Sequence, residues 1–190
     1  MIKGNIVLWT SNDLTLWTGD YDGVWRTNAP NCRVSADRPR VVVAAHGNRD
    51  IIIADKPLLP GTVNRWKVKL LVIGGGWWDW VGVAPEGVNL SSSSNDTQCG
   101  WYLNTYQTSL YSGPPQRYND KRYGSHPQEQ SRQGAVIGVI MDTATGTLSF
   151  TRDGVDLGVA FTDIPLDKPL YPAAIFNGTG HSAEILPWEE

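Results

Sequence analysis

Residues 136–161 constrain the fold most, because they read as three short β-strands joined by two tight turns and carry no catalytic group. Val136 to Met141 is almost wholly apolar. Asp142, Thr143, Ala144, Thr145 and Gly146 then turn the chain into Thr147, Leu148, Ser149, Phe150 and Thr151, which alternate polar and apolar. That alternation puts Leu148 and Phe150 on one buried face. Asp153 followed by Gly154 is a strong hairpin signal, since glycine supplies the positive φ that a primed turn demands. Val155, Leu157, Val159 and Phe161 continue with a period of two, which predicts a three-strand meander.

The 190 residues suffice for one sizeable core, and no change in composition along the chain divides it into unlike halves, which predicts one domain over residues 1–190. Twenty glycines and 12 prolines mark a turn-rich chain, and nine tryptophans exceed what an average core needs, a hint of a binding surface. A net charge of −3 argues against a nucleic-acid or anionic-membrane partner, because either requires a concentrated excess of Lys and Arg. The small cluster Arg117, Lys121 and Arg122 is diluted by Asp120 and reads as a solvated loop. Cys32 and Cys99 are too few for a disulfide framework and lack zinc-site spacing, so buried free thiols are expected, with no metal and no cofactor. Met1 to Lys3 leads into strand-like residues rather than a signal segment, and no apolar run approaches ~18 residues. An intracellular, cytoplasmic protein is the expectation.

Alternation continues elsewhere. Residues 5–17 carry a hairpin pattern, Val41 to Ala45 and Ile51 to Ala54 are strand-like runs around an exposed loop at His46, Gly47, Asn48 and Arg49, and Trp66, Val68, Leu70 and Val72 alternate with Lys67 and Lys69. Gly74, Gly75 and Gly76 precede a further strand from Trp77 to Val83, but without the lysine and following helix of a phosphate loop. Residues 112–133 form a long polar excursion broken by Pro114, Pro115 and Pro127. No window has helical periodicity. Many short strands, each able to bury one face, predict an all-β sandwich.

The order Ile137, Gly138, Val139, Met141, Asp142, Gly146, Leu148, Phe150, Asp153, Gly154, Leu157, Gly158, Ala160, Phe161, then Leu170, Tyr171, Pro172 and Ala173, resembles the C-terminal half of a SPRY domain. Gly61 and Trp66, the segment Val81-Gly82-Val83-Ala84, and Gly100, Trp101, Leu110 and Tyr111 resemble that family's middle strands, and residues 6–17 its opening hairpin. No motif aligns between Thr18 and Val41. The resemblance implies a bent, concanavalin-like β-sandwich of two antiparallel sheets with little or no helix, divided into a PRY-like part over residues 1–55 and a SPRY core over 56–187. It also implies a non-catalytic, monomeric protein-binding module, of a kind that commonly sits inside larger proteins, with variable loops forming the recognition surface.

Family members that hold short peptides use positions matching Leu110 and Tyr111, Ile175, Phe176 and Asn177, and a loop matching His46 to Arg49. The resemblance therefore implies a partner-binding set of His46, Asn48, Arg49, Tyr111, Ile175, Phe176 and Asn177, with Phe176 where a tryptophan is frequent. Tyr111 and Phe176 are equally compatible with core positions. If accessible, they are rigid anchors for a peptide or loop of a partner protein, while Asn48, Arg49 and Asn177 supply hydrogen bonds. A glycan-binding sandwich using Trp77, Trp78, Trp80 or Trp101 is the alternative. A glycosidase needs two facing carboxylates roughly 5 to 9.5 Å apart, for which Asp79 with Glu86 or Glu184 are the only tempting sources. Asp142 and Asp153 read as turn caps, His46, His126 and His181 lack metal-site spacing, and no serine lies in a nucleophile elbow.

Overall fold

The computed structural model describes residues 18–26, 29–46, 51–73, 79–90, 99–113, 118, 121–124 and 132–189. Fourteen strands account for its regular structure: β1 Thr18–Asp20, β2 Cys32–Val34, β3 Val41–Ala44, β4 Ile51–Ile53, β5 Val63–Val72, β6 Trp80–Pro85, β7 Trp101–Asn104, β8 Ser109–Ser112, β9 Lys121–Arg122, β10 Val136–Asp142, β11 Thr147–Arg152, β12 Val155–Phe161, β13 Leu170–Ile175 and β14 Ser182–Pro187. One sheet has the order β12-β11-β10-β5-β14-β3-β2, and the other β4-β13-β6-β7-β8-β9. Every ladder is antiparallel except that of β1, which lies parallel to Val63–Arg65 of β5 where β14 stops short of it. No α-helix occurs among the described residues, and none is long and apolar enough to cross a membrane. The hairpin expected over residues 5–17 lies outside the described residues.

Strand alternation builds the core between the sheets. Trp66, Val68 and Leu70 of β5, Ile137, Val139 and Met141 of β10, and Leu148 and Phe150 of β11 face Val81 and Val83 of β6, Trp101 and Leu103 of β7 and Leu110 of β8. The intervening Arg65, Lys67 and Lys69 lie on the partly exposed face of β5, as the sequence alternation requires. The described strands before residue 55 belong to both layers, because β2 and β3 extend the first sheet while β4 edges the second. Neither cysteine is in a disulfide: Cys32 is buried and Cys99 half-buried.

The meander over 136–161 forms as expected. Asp142 Oδ1 accepts from the Ala144 N–H at 2.8 Å, and Gly146 takes φ +70°. In the second turn Asp153 and Gly154 have φ +48° and +82°, the two positive values of a type I′ hairpin. The expected period of two fails in β12, where Phe161 is buried but Val155 and Val159 are 47% and 58% exposed. Phe161 pairs with Leu148, Val159 with Ser149 and Asp156 with Thr151, so two irregularities place extra residues on β12. Gly158, at φ +89°, sits at this kink.

The six-stranded sheet is also buried on its outward face. Ile51, Ile53, Trp80, Ala84, Tyr102, Tyr111, Tyr171, Ala173 and Ile175 form a second apolar cluster there, against which Val88, Leu90 and Cys99 pack. Gly82 lies in the middle of this sheet, and a Cβ there would fall 1.9 Å from the Trp101 carbonyl oxygen. Only glycine permits that approach of β6 to β7.

Candidate functional site

Cross-strand register gathers one set of strand ends into a single rim. Ile51 pairs with Ile175, Ile175 with Trp80, Trp80 with Asn104, Asn104 with Ser109, and Ser109 with Arg122. In an antiparallel sheet this row marks alternate starts and ends of strands, so the start of β4 at Ile51 and the connections at 105–108 and 176–181 lie on the same side. Trp80 and Tyr111 meet edge to face on the outward side of the row, with ring centroids 5.7 Å apart at 85°.

Beneath the rim lies Asp79, immediately before β6. Its carboxylate accepts from His181 Nδ1 at 2.9 and 3.0 Å and from the Asn177 N–H at 3.0 Å. A carboxylate only accepts, which assigns the proton of this contact to Nδ1. The Asp79 carbonyl oxygen in turn accepts from the Thr105 N–H at 2.8 Å and from Thr105 Oγ1 at 3.0 Å. Asp79 and His181 are 2% and 3% exposed, so this network is shielded from water. Two main-chain bonds of 2.8 Å, Ala44 N–H to the His181 carbonyl and Gly180 N–H to the Ala44 carbonyl, tie the same loop to the end of β3.

The 105–108 turn has its own cap. Asn104 Oδ1 accepts from the N–H groups of Tyr106 and Gln107 at 2.9 and 3.0 Å, and Thr108 takes φ +53°. From the opposite sheet, the Arg152 guanidinium donates to the Thr105 carbonyl. Asn104 Nδ2, Thr108 Oγ1 and Ser109 Oγ are buried without an intramolecular hydrogen-bond partner.

The sequence-derived residues distribute unevenly over this site. His46 is exposed and Asn177 half-buried on the rim, while Asn48 and Arg49 lie outside the described residues. Tyr111 and Ile175 share the outward face of the six-stranded sheet but are 5% and 0% exposed. Phe176 belongs to the core between the sheets. The structure thus brings Tyr111 and Ile175 into one cluster and places Phe176 in the other. Among the tryptophans considered for sugar stacking, Trp80 and Trp101 are buried on opposite faces of the sheet, and Trp77 and Trp78 lie outside the described residues.

The carboxylates considered for glycoside chemistry do not face one another. Asp79 precedes β6 and Glu86 follows it, which at ~3.3 Å per residue separates them by about 20 Å. Glu184 lies on β14 of the other sheet, where it accepts from Arg38 at 3.1 Å. Among the described residues no group of three or more His, Cys, Asp or Glu is placed to hold a metal ion. The sequence reading weighed His181 only as a metal ligand and passed over Thr105 and Asn104. An Asn at a strand end followed by a short polar turn was the available signal for Asn104; the 102-residue separation of Asp79 and His181 hid their pairing.

An open groove of ≈ 330 Å³ lies at the opposite end of the sandwich, lined by Pro57, Leu58, Pro60, Thr143 and residues 166–170. It shares no residue with the rim.

A family model for the SPRY domain matches residues 64–187. No curated protein matches the chain. Among solved structures, the SPRY domain of human HERC1 is similar at a TM-score of 0.65 and 20% identity, over 87% of this chain and 96% of that one. A human SPRY domain follows at 0.64 and 18%, over 85% and 96%. The neuralized NHR1 domain of Drosophila melanogaster gives 0.60 and 13%, over 88% and 99%. At these identities the likeness is one of fold.

Proposed function

This chain belongs to the SPRY domain family, whose members generally serve as protein-interaction modules, and from that premise we propose that it is a non-catalytic module recognising a peptide or loop of a partner protein through its strand-end rim. The observation that carries this reading is the register row from Ile51 to Arg122, which runs across five ladders and sets the ends of six strands on one side of the sheet. Recognition residues are characteristically loop residues held by such a scaffold.

In this reading His46 and Asn177, with the neighbouring Asn48 and Arg49, make direct contact with the partner, while Tyr111, Ile175 and Phe176 support the surface from below. No cofactor enters the activity.

A photo-crosslinking amino acid placed singly at His46, Asn177 or Thr179, and at Leu166 as a control beside the opposite groove, tests the proposal in cell extract. Protein adducts from the three rim positions and none from Leu166 are expected. Adducts from Leu166 alone would move the interaction surface to the groove.

A further inference from the structure

We infer that Asp79 and His181 form a positioning pair that couples the 105–108 turn to the 176–181 loop, so that the rim is one preformed surface rather than two independent loops. Its bearing on partner binding rests on the rim being the interaction surface; the coupling itself does not.

The two loops belong to different connections, β7 to β8 and β13 to β14, and no strand ladder joins them directly. Asp79 touches both. Its side chain holds the Asn177 N–H and the His181 ring, and its main-chain carbonyl accepts from both the N–H and the hydroxyl of Thr105. With the side chain locked by two partners, a shift of the Asp79 backbone carries the carboxylate and the carbonyl together, so a change in one loop reaches the other through a single residue. Burial strengthens the effect, because the carboxylate of Asp79 has no water to replace a lost partner.

Local sequence is fitted to this arrangement. A Cβ at Gly178 would lie 2.2 Å from Nε2 of His181, so the imidazole packs where only glycine leaves room. Gly180 takes φ +81°, which returns the chain toward Ala44. The loop thus closes around its own histidine and presents Asn177 at a fixed height above Asp79. A surface already ordered in this way loses little conformational entropy when a partner docks.

Amide hydrogen exchange on the full 190-residue chain, resolved residue by residue by NMR, tests the coupling. The informative variant is His181→Ala, because it removes the ring held by the Asp79 carboxylate and leaves Asp79 and both Thr105 donors to its carbonyl in place. Removal of the ring is expected to accelerate exchange at Asn177 and, across Asp79, at Thr105 by on the order of ten- to a hundredfold. Val139 and Leu148, in the central meander, keep their wild-type rates.

Asp79→Asn retains an oxygen for the Asn177 N–H and, once the imidazole carries its proton on Nε2, an amide that donates to Nδ1, and is expected to hold both loops near wild-type protection. Unchanged exchange at Thr105 in His181→Ala overturns the coupling. So does acceleration of equal size at Val139 and Leu148, which reports general destabilisation. If His181→Ala yields no folded spectrum, Gly178→Ala makes the same comparison, since its methyl group displaces the ring while leaving every partner in place. Crosslinking at the rim and exchange at Thr105 are separate measurements, so failure of the binding assignment leaves the coupling result readable.

Discussion

Tyr111 stands edge-on to Trp80 across the outward face of the six-stranded sheet, in a cluster that also holds Ile51, Tyr102 and Ile175. The geometry is favourable for two aromatic rings and is worth about 0.5–1.5 kcal/mol beyond the area buried. Tyr111 is therefore a structural residue first. Tyr111→Ala is expected to lower stability by ~3–5 kcal/mol in urea titration, whereas His46→Ala, at an exposed position, changes it by less than about 0.5 kcal/mol. A binding loss in His46→Ala would then report recognition, and one in Tyr111→Ala would not.

Ser109 presents the opposite situation. Its hydroxyl is buried beside Asn104 with no intramolecular partner. Removing such a group relieves a desolvation penalty, so Ser109→Ala should leave stability unchanged or raise it by up to about 1 kcal/mol. A loss of more than about 1 kcal/mol in denaturant titration contradicts this account.

On the far side of the other sheet, Trp188 lies over the backbone of Gly138, with Arg65 and Lys67 5.4 and 5.6 Å from its ring. A Cβ at 138 would meet Thr151 Oγ1 at 2.3 Å and the indole at 3.0 Å. Gly138→Ala is expected to cost ~1–3 kcal/mol by overpacking. Pairing it with Thr151→Ala should recover part of that loss in a thermodynamic cycle, because the closest colliding atom is gone.

Alkaline pH should unfold the protein through two tyrosines. Burial pushes the Tyr21 and Tyr123 hydroxyls well above their ordinary value of 10.0. Tyr21 donates to the Lys56 carbonyl at 2.8 Å, and Tyr123 donates to the Gly158 carbonyl while accepting from the Phe150 N–H at 3.3 Å. A group whose pKa is raised in the folded state contributes fully below its unfolded value and loses that contribution as pH rises toward the folded one. Stability should accordingly decline above pH ~10. Phenolate absorbance should show these two rings ionising only with unfolding. At the acid end, the hydrogen bond from Lys56 holds the Asp22 carboxyl below its usual range, a contribution present above the unfolded value and lost as pH falls. Asp22 is exposed, so that effect should be small and abolished by salt.

The meander was legible because its evidence is local. Asp142 with Gly146 and Asp153 with Gly154 declare their turns within five residues, and the alternation in β5 needs no neighbour to be recognised. The edge strand β12 kept the pattern in sequence but not in space, because its irregular register against β11 depends on both strands. β1 and β2 carry only three residues each, too few for any periodicity to emerge. The site was harder still. Ile175 and Phe176 are adjacent in sequence, and only strand parity sends one outward and the other into the core. The meeting of Asp79 with His181 is a product of the fold as a whole.

The kinked β12 carries a further consequence. A straight outer strand with exposed valines would offer main-chain donors and acceptors in the regular spacing that another copy could zip onto. With its spacing broken twice, and with the Gly158 carbonyl already taken by Tyr123, this border gives a foreign strand no continuous template. This border of the sheet is therefore closed to the continuous strand addition from which fibre-like stacking begins.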